Sequence, residues 1–271
     1  MQVRSHAKIN WSLRITAKRA DGYHDLETLF QTISLHDTIG ISQAGRFTIA
    51  CDDPHVPCDE TNLVMRAARA LGAPPVHFAL QKRIPAGGGL GGGSSNAAAT
   101  LLALDEMFHL RTPRQRLHEI ALSLGSDVPF FLVGGTAYAT GRGEELTPLR
   151  AATAIPLLLL FPEERVSTAE AFSLIRAYSQ PLGLDRYRQI VDDDLLAHAD
   201  LLVNDFEAPM FARIPRLREL RDRLVASGAA WARMTGSGST IVGAFRSQAL
   251  RDAARTKFQD VRSAAADTLP A

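Results

Sequence analysis

PAGGGLGGGSSNA, residues 85–97, puts glycine at six of the seven positions from Gly87 to Gly93, directly ahead of an alanine-rich helical pattern. Without a Cβ the backbone can take positive φ and bring several N–H groups onto one anion. The helix behind adds its positive end, because the first-turn donors of Ser95, Asn96, Ala97 and Ala98 have no intrahelical partner. The stretch predicts a phosphate cradle. A flexible linker would alternate glycine with Ser, Pro or charge and would not open a helix.

Two common phosphate loops do not fit. A Walker A frame through Gly87 and Gly92 needs lysine next, where Gly93 and Ser94 stand. Gly87, Gly89 and Gly92 satisfy GxGxxG, yet the acid that a dinucleotide site requires at the tip of a following strand is absent. Asp105 and Glu106 are the nearest acids, and they continue the helix. A nucleoside triphosphate site of a third kind is the better reading.

The rest of the composition narrows the class. At 271 residues, with 46% hydrophobic and 22% charged, the chain can bury a sizeable core as one large domain or two modest ones. Thirty basic against 29 acidic residues leave a net charge of +1, and no run of Lys or Arg supplies the clustered field that nucleic acid or an anionic membrane needs. Cys51 and Cys58, with Asp53, His55 and Asp59 nearby, lack a second CxxC or HxxxH element, so they read as reduced thiols rather than a zinc site. The longest strongly apolar run, Ile155 to Phe161, is too short to span a bilayer and contains Pro156. The N-terminus carries no signal-peptide core, and the expectation is a cytoplasmic protein.

Apolar residues at Val3, Ala7, Ile9, Trp11, Leu13 and Ile15 alternate with polar ones, which predicts a half-buried strand with Lys8 and Asn10 on its polar face. A second extended stretch is expected over 26–35, after the Asp21-Gly22 turn. Thr61 is expected to cap a helix running to Gly72, residues 76–84 form a strand into the glycine loop, and the loop helix runs to about Phe108. Thr112 and Pro113 start another helix, ended by Gly125. Residues 130–133 and 136–140 read as strands leading to the polar turn 141–145. After a break near 150–153 come a strand at 157–161, helices near 167–178, 205–213 and 215–227, strands near 230–234 and 240–245, and a helix at 247–258. This mixture without strict βαβ alternation predicts α+β layers.

Four further segments hold reactive or hydrogen-bonding residue types. Lys8 and Asn10 sit side by side on a strand, though an exposed strand also carries such residues for solubility. Asp127 follows a helix-ending glycine and precedes Pro129, which equally suits an N-cap. Asp21-Gly22-Tyr23-His24 places an aromatic and an imidazole at a turn exit. Met234 to Thr240, MTGSGST, combines two glycines with hydroxyls, as a tight hairpin or an anion-binding edge would.

AKINWSLRI, RADGYHDLET, IPAGGGLGGGSSNAAA, LGSDVPFFL and MTGSGST, in that order, resemble the GHMP kinase superfamily over nearly the whole chain. The resemblance implies an α+β two-domain GHMP kinase fold: an N-terminal ribosomal S5 domain 2-like nucleotide domain at 1–152, a C-terminal ferredoxin-like domain at 153–271, and the site in the cleft. It implies ATP as co-substrate with Mg²⁺, and a small alcohol as acceptor. The AKIN and DGYH segments point to the member whose substrate is a cytidine-diphosphate-linked methylerythritol. A kinase for another alcohol, a silent nucleotide sensor of the same fold and a nicotinamide-dependent dehydrogenase stand as alternatives, and the oligomeric state is not legible.

By the same resemblance Pro85, Ala86, Gly87, Gly88, Gly89, Leu90, Gly91, Gly92, Gly93, Ser94 and Ser95 form the ATP phosphate loop, with Ser94 or Ser95 reaching Mg²⁺ or a phosphate oxygen. Thr61 and Asn62 contact the adenine side. Lys8 and Asp127 look like the catalytic pair, Asn10 like a neighbouring substrate contact, and Tyr23 with His24 like the cytosine-recognition elements. Thr168, Gly236 and Ser237 are expected on the substrate side. The family's second base-stacking aromatic is expected just ahead of an Asn-Asp pair, but Asn204-Asp205 follows Leu202 and Val203.

Overall fold

Strand β1 (Gln2–Lys18) and strand β2 (His24–Gln43) pair with each other through a turn in which Gly22 takes φ 87°. The computed structural model describes residues 1–150 and 154–270. Contacts divide the chain into two compact units that interleave in sequence: Met1–Ala7, His36–Ala86 and Gly91–Val133 form the first, and Lys8–Leu35, Gly87–Leu90 and Gly134–Ala271 form the second. The boundary expected between 152 and 153 lies outside the described residues.

In the first unit, β3 (Thr48–Cys51) runs parallel to β4 (Val76–Gln81), with α1 (Leu63–Leu71) between them in sequence. The last part of β2 pairs antiparallel with β4, from Thr38 opposite Gln81 to Gln43 opposite Val76. Ile39, Ile41, Phe78 and Leu80 from these strands pack on Val64, Met65 and Leu104, the last from α2 (Gly92–Met107). A second cluster joins α1 and α2 to α3 (Arg114–Leu124) and α4 (Val128–Val133), where Ala67, Ala97 and Ala98 let the helices approach closely. Residues 128–133 are thus helical where a strand was expected at 130–133. A short apolar run carries no period that separates the two. The cap of α1 is Asn62, whose Oδ1 accepts from the Val64 N–H, while Thr61 is held by Asp59 instead. Helix α3 likewise begins one residue later than expected, with Pro113 at its N-cap.

In the second unit the first part of β2 pairs antiparallel with β5 (Thr136–Thr140), and β5 pairs with β6 (Glu145–Leu149), so the polar turn after Thr140 closes a hairpin. The chain continues through β7 (Pro156–Phe161), α5 (Thr168–Ser173), α6 (Leu184–Asp192), a 3-10 turn at Leu195–His198, α7 (Glu207–Arg213), α8 (Pro215–Ala226), β8 (Trp231–Met234), β9 (Ile241–Ala244), α9 (Gln248–Arg255) and β10 (Arg262–Asp267). The last four strands named form an antiparallel sheet in the order β10-β7-β9-β8, and all six residues of β7 are buried. Leu158 and Leu160 pack with Phe206, Met210, Leu217, Leu220, Leu224 and Phe245. Helix α5 stops at Ser173, short of the expected 178: the N–H groups of Leu174 and Ile175 close the last turn on the Ala171 and Phe172 carbonyls, both at 3.2 Å, and further on the Ser179 N–H donates to the Ile15 carbonyl at 2.8 Å.

Strand β1 departs from the half-buried expectation in a way that matters. From Ala7 to Leu13 every residue is buried, the polar Lys8, Asn10 and Ser12 included. Its polar face is therefore an interior hydrogen-bonding surface rather than a solvated one.

Candidate active site

The glycine loop has the backbone its composition demands. Gly87, Gly89 and Gly91 take φ of 74°, 76° and 69°, and Gly91 serves as the N-cap of α2. A Cβ on Gly89 would lie 2.2 Å from the Thr235 carbonyl oxygen, and one on Gly92 would lie 2.9 Å from Ile84 Cγ2. Gly89 is thus a packing requirement as well as a conformational one, and Gly92, inside α2, is a packing requirement alone. The carbonyl of Leu90 accepts from the Lys8 N–H at 3.0 Å.

Of the two hydroxyls opening α2, Ser95 is spent inside the fold: its Oγ donates to the His6 carbonyl at 2.6 Å and accepts from Ser5 Oγ at 2.7 Å. Ser94 is half-buried on the same first turn. Beneath this turn the fully buried Asp37 accepts from the N–H groups of Arg83 (2.7 Å) and Ile84 (2.9 Å), from Asn96 Nδ2 (3.0 Å) and from the Lys82 ammonium. One carboxylate thus ties the segment entering the loop to the helix leaving it, which the sequence pattern did not disclose.

Lys8 and Asn10, two residues apart on one face of β1, are joined directly: Lys8 Nζ donates to Asn10 Oδ1 at 2.8 Å. Lys8 is 4% exposed, and its ammonium lies 5.2 Å from the centre of the Phe30 ring. Asn10 Nδ2 donates to Thr28 Oγ1 at 2.7 Å, and the Asn10 N–H donates to Thr235 Oγ1 at 2.9 Å. Asn204 Nδ2 braces the MTGSGST turn through the carbonyls of Met234 (2.7 Å) and Gly236 (2.9 Å). At that turn Ser237 Oγ and Thr168 Oγ1 lie 3.1 Å apart. Lys8, Asn10, Gly89, Gly236, Ser237 and Thr168 are therefore gathered within the second unit.

The turn at Asp21-Gly22 delivers a separate aromatic wall. The His24 imidazole stacks on Phe172 of α5, with ring centres 4.8 Å apart and an interplanar angle of 14°, and Tyr178 lies 6.4 Å away. Burial, and secondarily the charge of Lys18, holds the His24 imidazole below its ordinary pKa, which favours the neutral ring. Tyr23 is exposed, its ring covered by the Arg142 guanidinium at 4.8 Å. Phe172 was missed in the sequence, and its residue type alone gave no signal. Leu202, where an aromatic was expected, is instead a fully buried core residue whose carbonyl accepts from Trp231 Nε1 and Arg233 Nε.

Asp127 is half-buried and stands immediately before α4 in the first unit. Asn62 uses its amide on the cap of α1 and on the Pro57 carbonyl, 2.7 Å away, while Thr61 is exposed. Among the described residues no group of three or more His, Cys, Asp or Glu side chains is placed to hold a metal ion, and no helix is long and apolar enough to cross a membrane. Burial raises the Cys51 thiol pKa, which keeps it protonated.

Comparison with known proteins follows the same lines. The family described as "GHMP kinases N terminal domain" matches residues 62–135, and "GHMP kinases C terminal" matches 189–263. A 4-diphosphocytidyl-2-C-methyl-D-erythritol kinase of Chlorobaculum parvum is 42% identical over 92% of this chain and 91% of its own. The protein of the same description from Prosthecochloris aestuarii is 41% identical over 96% and 93%. A crystal structure of 4-(cytidine 5'-diphospho)-2C-methyl-D-erythritol kinase superposes with a TM-score of 0.86 at 33% identity, covering 100% of both chains. A homoserine kinase from Cytophaga hutchinsonii, 18% identical with a TM-score of 0.69, shares the fold.

Proposed function

The chain belongs to the GHMP kinase family, and from that premise we propose that it transfers the terminal phosphoryl group of ATP to the 2-hydroxyl of 4-diphosphocytidyl-2-C-methyl-D-erythritol. The relatives named above, about 40% identical over most of the chain, support this substrate. In this reading residues 1–152 form the ATP-binding region and 153–271 the C-terminal region.

The observation that carries the proposal is the pairing of a buried ammonium with the glycine loop through one residue: the side chain of Lys8 is enclosed with Asn10, and its main chain holds Leu90. Phosphoryl transfer to an alcohol needs positioning and charge neutralisation, with a group to accept the hydroxyl proton and no covalent protein intermediate. The loop amides from Ala86 to Ser94 take the phosphates; Pro85 has no N–H, and because α2 begins at Gly92 the Ser95 N–H, expected to be free, donates to the Gly91 carbonyl at 2.8 Å. Lys8 stabilises the alkoxide and the charge on the moving phosphoryl group, and Asp127 accepts the hydroxyl proton. Asn10 orients the ammonium. Thr61 and Asn62 lie on the adenine side, and Thr168, Gly236 and Ser237 on the acceptor side.

Mg²⁺ fits this chain as an ion that arrives on the triphosphate. The described residues offer no all-protein cage, and Mg²⁺ bound to a nucleotide needs only one or two protein oxygens beside phosphate and water. Ser94 is the hydroxyl we assign to it, since Ser95 is engaged by His6 and Ser5. When bound, the ion neutralises phosphate charge.

At the base-binding end, the neutral His24 ring presents one donor and one acceptor to the hydrogen-bonding edge of cytosine. Phe172 and Tyr178 supply the aromatic surface that is missing ahead of Asn204, and Tyr23, its ring covered by the Arg142 guanidinium at 4.8 Å, is the further aromatic we assign to the cytosine end. The test is ADP formation by the purified protein against a panel of alcohols: the diphosphocytidyl methylerythritol, homoserine, mevalonate and phosphomevalonate. ADP release stimulated by the first alone is expected. Stimulation by another alcohol and not by the first would overturn the substrate assignment.

A further inference from the structure

Glu27 is a buried carboxylate, 1% exposed, that the mechanism above does not use. It lies three residues beyond His24 on β2. Between α5 and α6 the chain has no regular secondary structure from Leu174 to Gly183, and this span carries Tyr178 close behind Phe172. It is moored at two places. Ser179 donates from its N–H to the Ile15 carbonyl at 2.8 Å and from its Oγ to Asp205 Oδ1 at 2.9 Å. Asp205 Oδ2 in turn accepts from the Ile15 N–H at 2.7 Å. The second mooring is Glu27. Its Oε1 accepts from the Leu182 N–H at 2.7 Å, and its Oε2 accepts from the Gly183 N–H at 2.8 Å and the Tyr138 hydroxyl at 3.0 Å.

We propose that Glu27 is a positioning residue for the base-binding wall: by fixing Leu182 and Gly183 to the strand that carries His24, it holds the span that sets Phe172 and Tyr178 against the imidazole. The inference rests on the reading that this wall takes the cytosine end of the substrate. The chemistry calls for a carboxylate. Three donors converge on two oxygens, and a carboxylate accepts at both while donating nothing. Glutamine keeps the shape but turns one of those positions into a donor. The Tyr138 hydroxyl can rotate to accept from it, whereas a backbone N–H cannot, so the half-buried amide of Leu182 or Gly183 loses its partner. The mooring then loosens where it faces His24, and substrate affinity falls with no contact to substrate removed.

The test compares Glu27→Gln and Tyr138→Phe with the wild type, each alone and combined with Phe172→Ala, in steady-state kinetics and in titrations with cytidine 5'-diphosphate. Glu27→Gln is expected to raise the KM for the cytidine substrate about tenfold, the size of one lost hydrogen bond, with kcat and the ATP KM within about twofold. Tyr138→Phe removes one donor and leaves the carboxylate, so a rise of about threefold is expected, and this variant serves if the glutamine protein does not fold. In the Phe172→Ala background the Glu27→Gln effect should shrink below about twofold, because the two residues act through one surface. An unchanged KM in Glu27→Gln, equal effects in both backgrounds, or a parallel loss of kcat and ATP affinity would each overturn the proposal. Should the wild type fail to phosphorylate the cytidine substrate, the functional reading itself falls. The titrations still decide whether Glu27 governs binding at the His24 wall.

Discussion

The N–H of Lys8 donates to the carbonyl oxygen of Leu90 at 3.0 Å, so the strand that carries the buried ammonium also holds the glycine loop. The main chain does the holding, which makes the side chain separable from it. Lys8→Met keeps the strand and most of the buried volume while removing the charge. It is expected to lower kcat by a factor of about 10²–10³, the cost typical of losing one charge-stabilising donor, and to leave ATP affinity by calorimetry nearly unchanged. A comparable loss of ATP affinity would mean that the ammonium serves ground-state binding instead.

Gly89 combines a φ of 76° with a position where a Cβ would fall 2.2 Å from the Thr235 carbonyl oxygen. Backbone must move on one side or the other to admit alanine. Gly89→Ala is expected to cost at least about 2 kcal/mol in urea unfolding. Gly45→Ala, at a site where a Cβ meets nothing within 4 Å, should stay within about 0.5 kcal/mol. Equal midpoints for the two variants would contradict the loop geometry.

His24 gives the substrate a pH signature. Burial, then the charge of Lys18, lowers its pKa in the folded protein below the ordinary histidine value of 6.5. The unfolded chain therefore takes up the proton first as pH falls. The stability linked to this group is complete above about pH 6.5 and is lost as pH falls through the lowered pKa. The neutral ring is the form assigned to cytosine recognition, so the substrate KM should be flat between about pH 7 and 8 and rise on acidification below about pH 6. His24→Ala should raise KM at every pH and remove the acid-side rise. An acid-side rise that survives in His24→Ala would assign it to another group.

The glycine loop opening a helix and the order of most elements were legible because both rest on local rules. Glycine at positions 87–93 can be read without knowing its surroundings, and so can the apolar period of α1, α3 and α8. What failed needed partners remote in sequence. The polar face of β1 reads as solvated until Thr28, Thr235 and Tyr187 are placed on it, and Tyr187 then donates to Ser12 Oγ at 2.9 Å. The stack of His24 on Phe172 joins two segments with no shared pattern, and Phe172 counts locally as one more apolar helix residue. Helix α4 was lost because its apolar run is shorter than the window that separates helix from strand. Strand β10, whose sequence is three alanines flanked by Arg262, Ser263 and Asp267, offers little alternation to detect.

Turnover of Asp127→Asn, set beside its substrate binding, tests the central claim most directly. Asparagine keeps the size of the side chain before α4 but cannot accept the hydroxyl proton as a carboxylate does. The account predicts that kcat for ADP formation with the diphosphocytidyl substrate falls by a factor of about 10²–10⁴, while calorimetry finds ATP and substrate bound within about threefold of wild type. Turnover within a few-fold of wild type, with both ligands still bound, would contradict it.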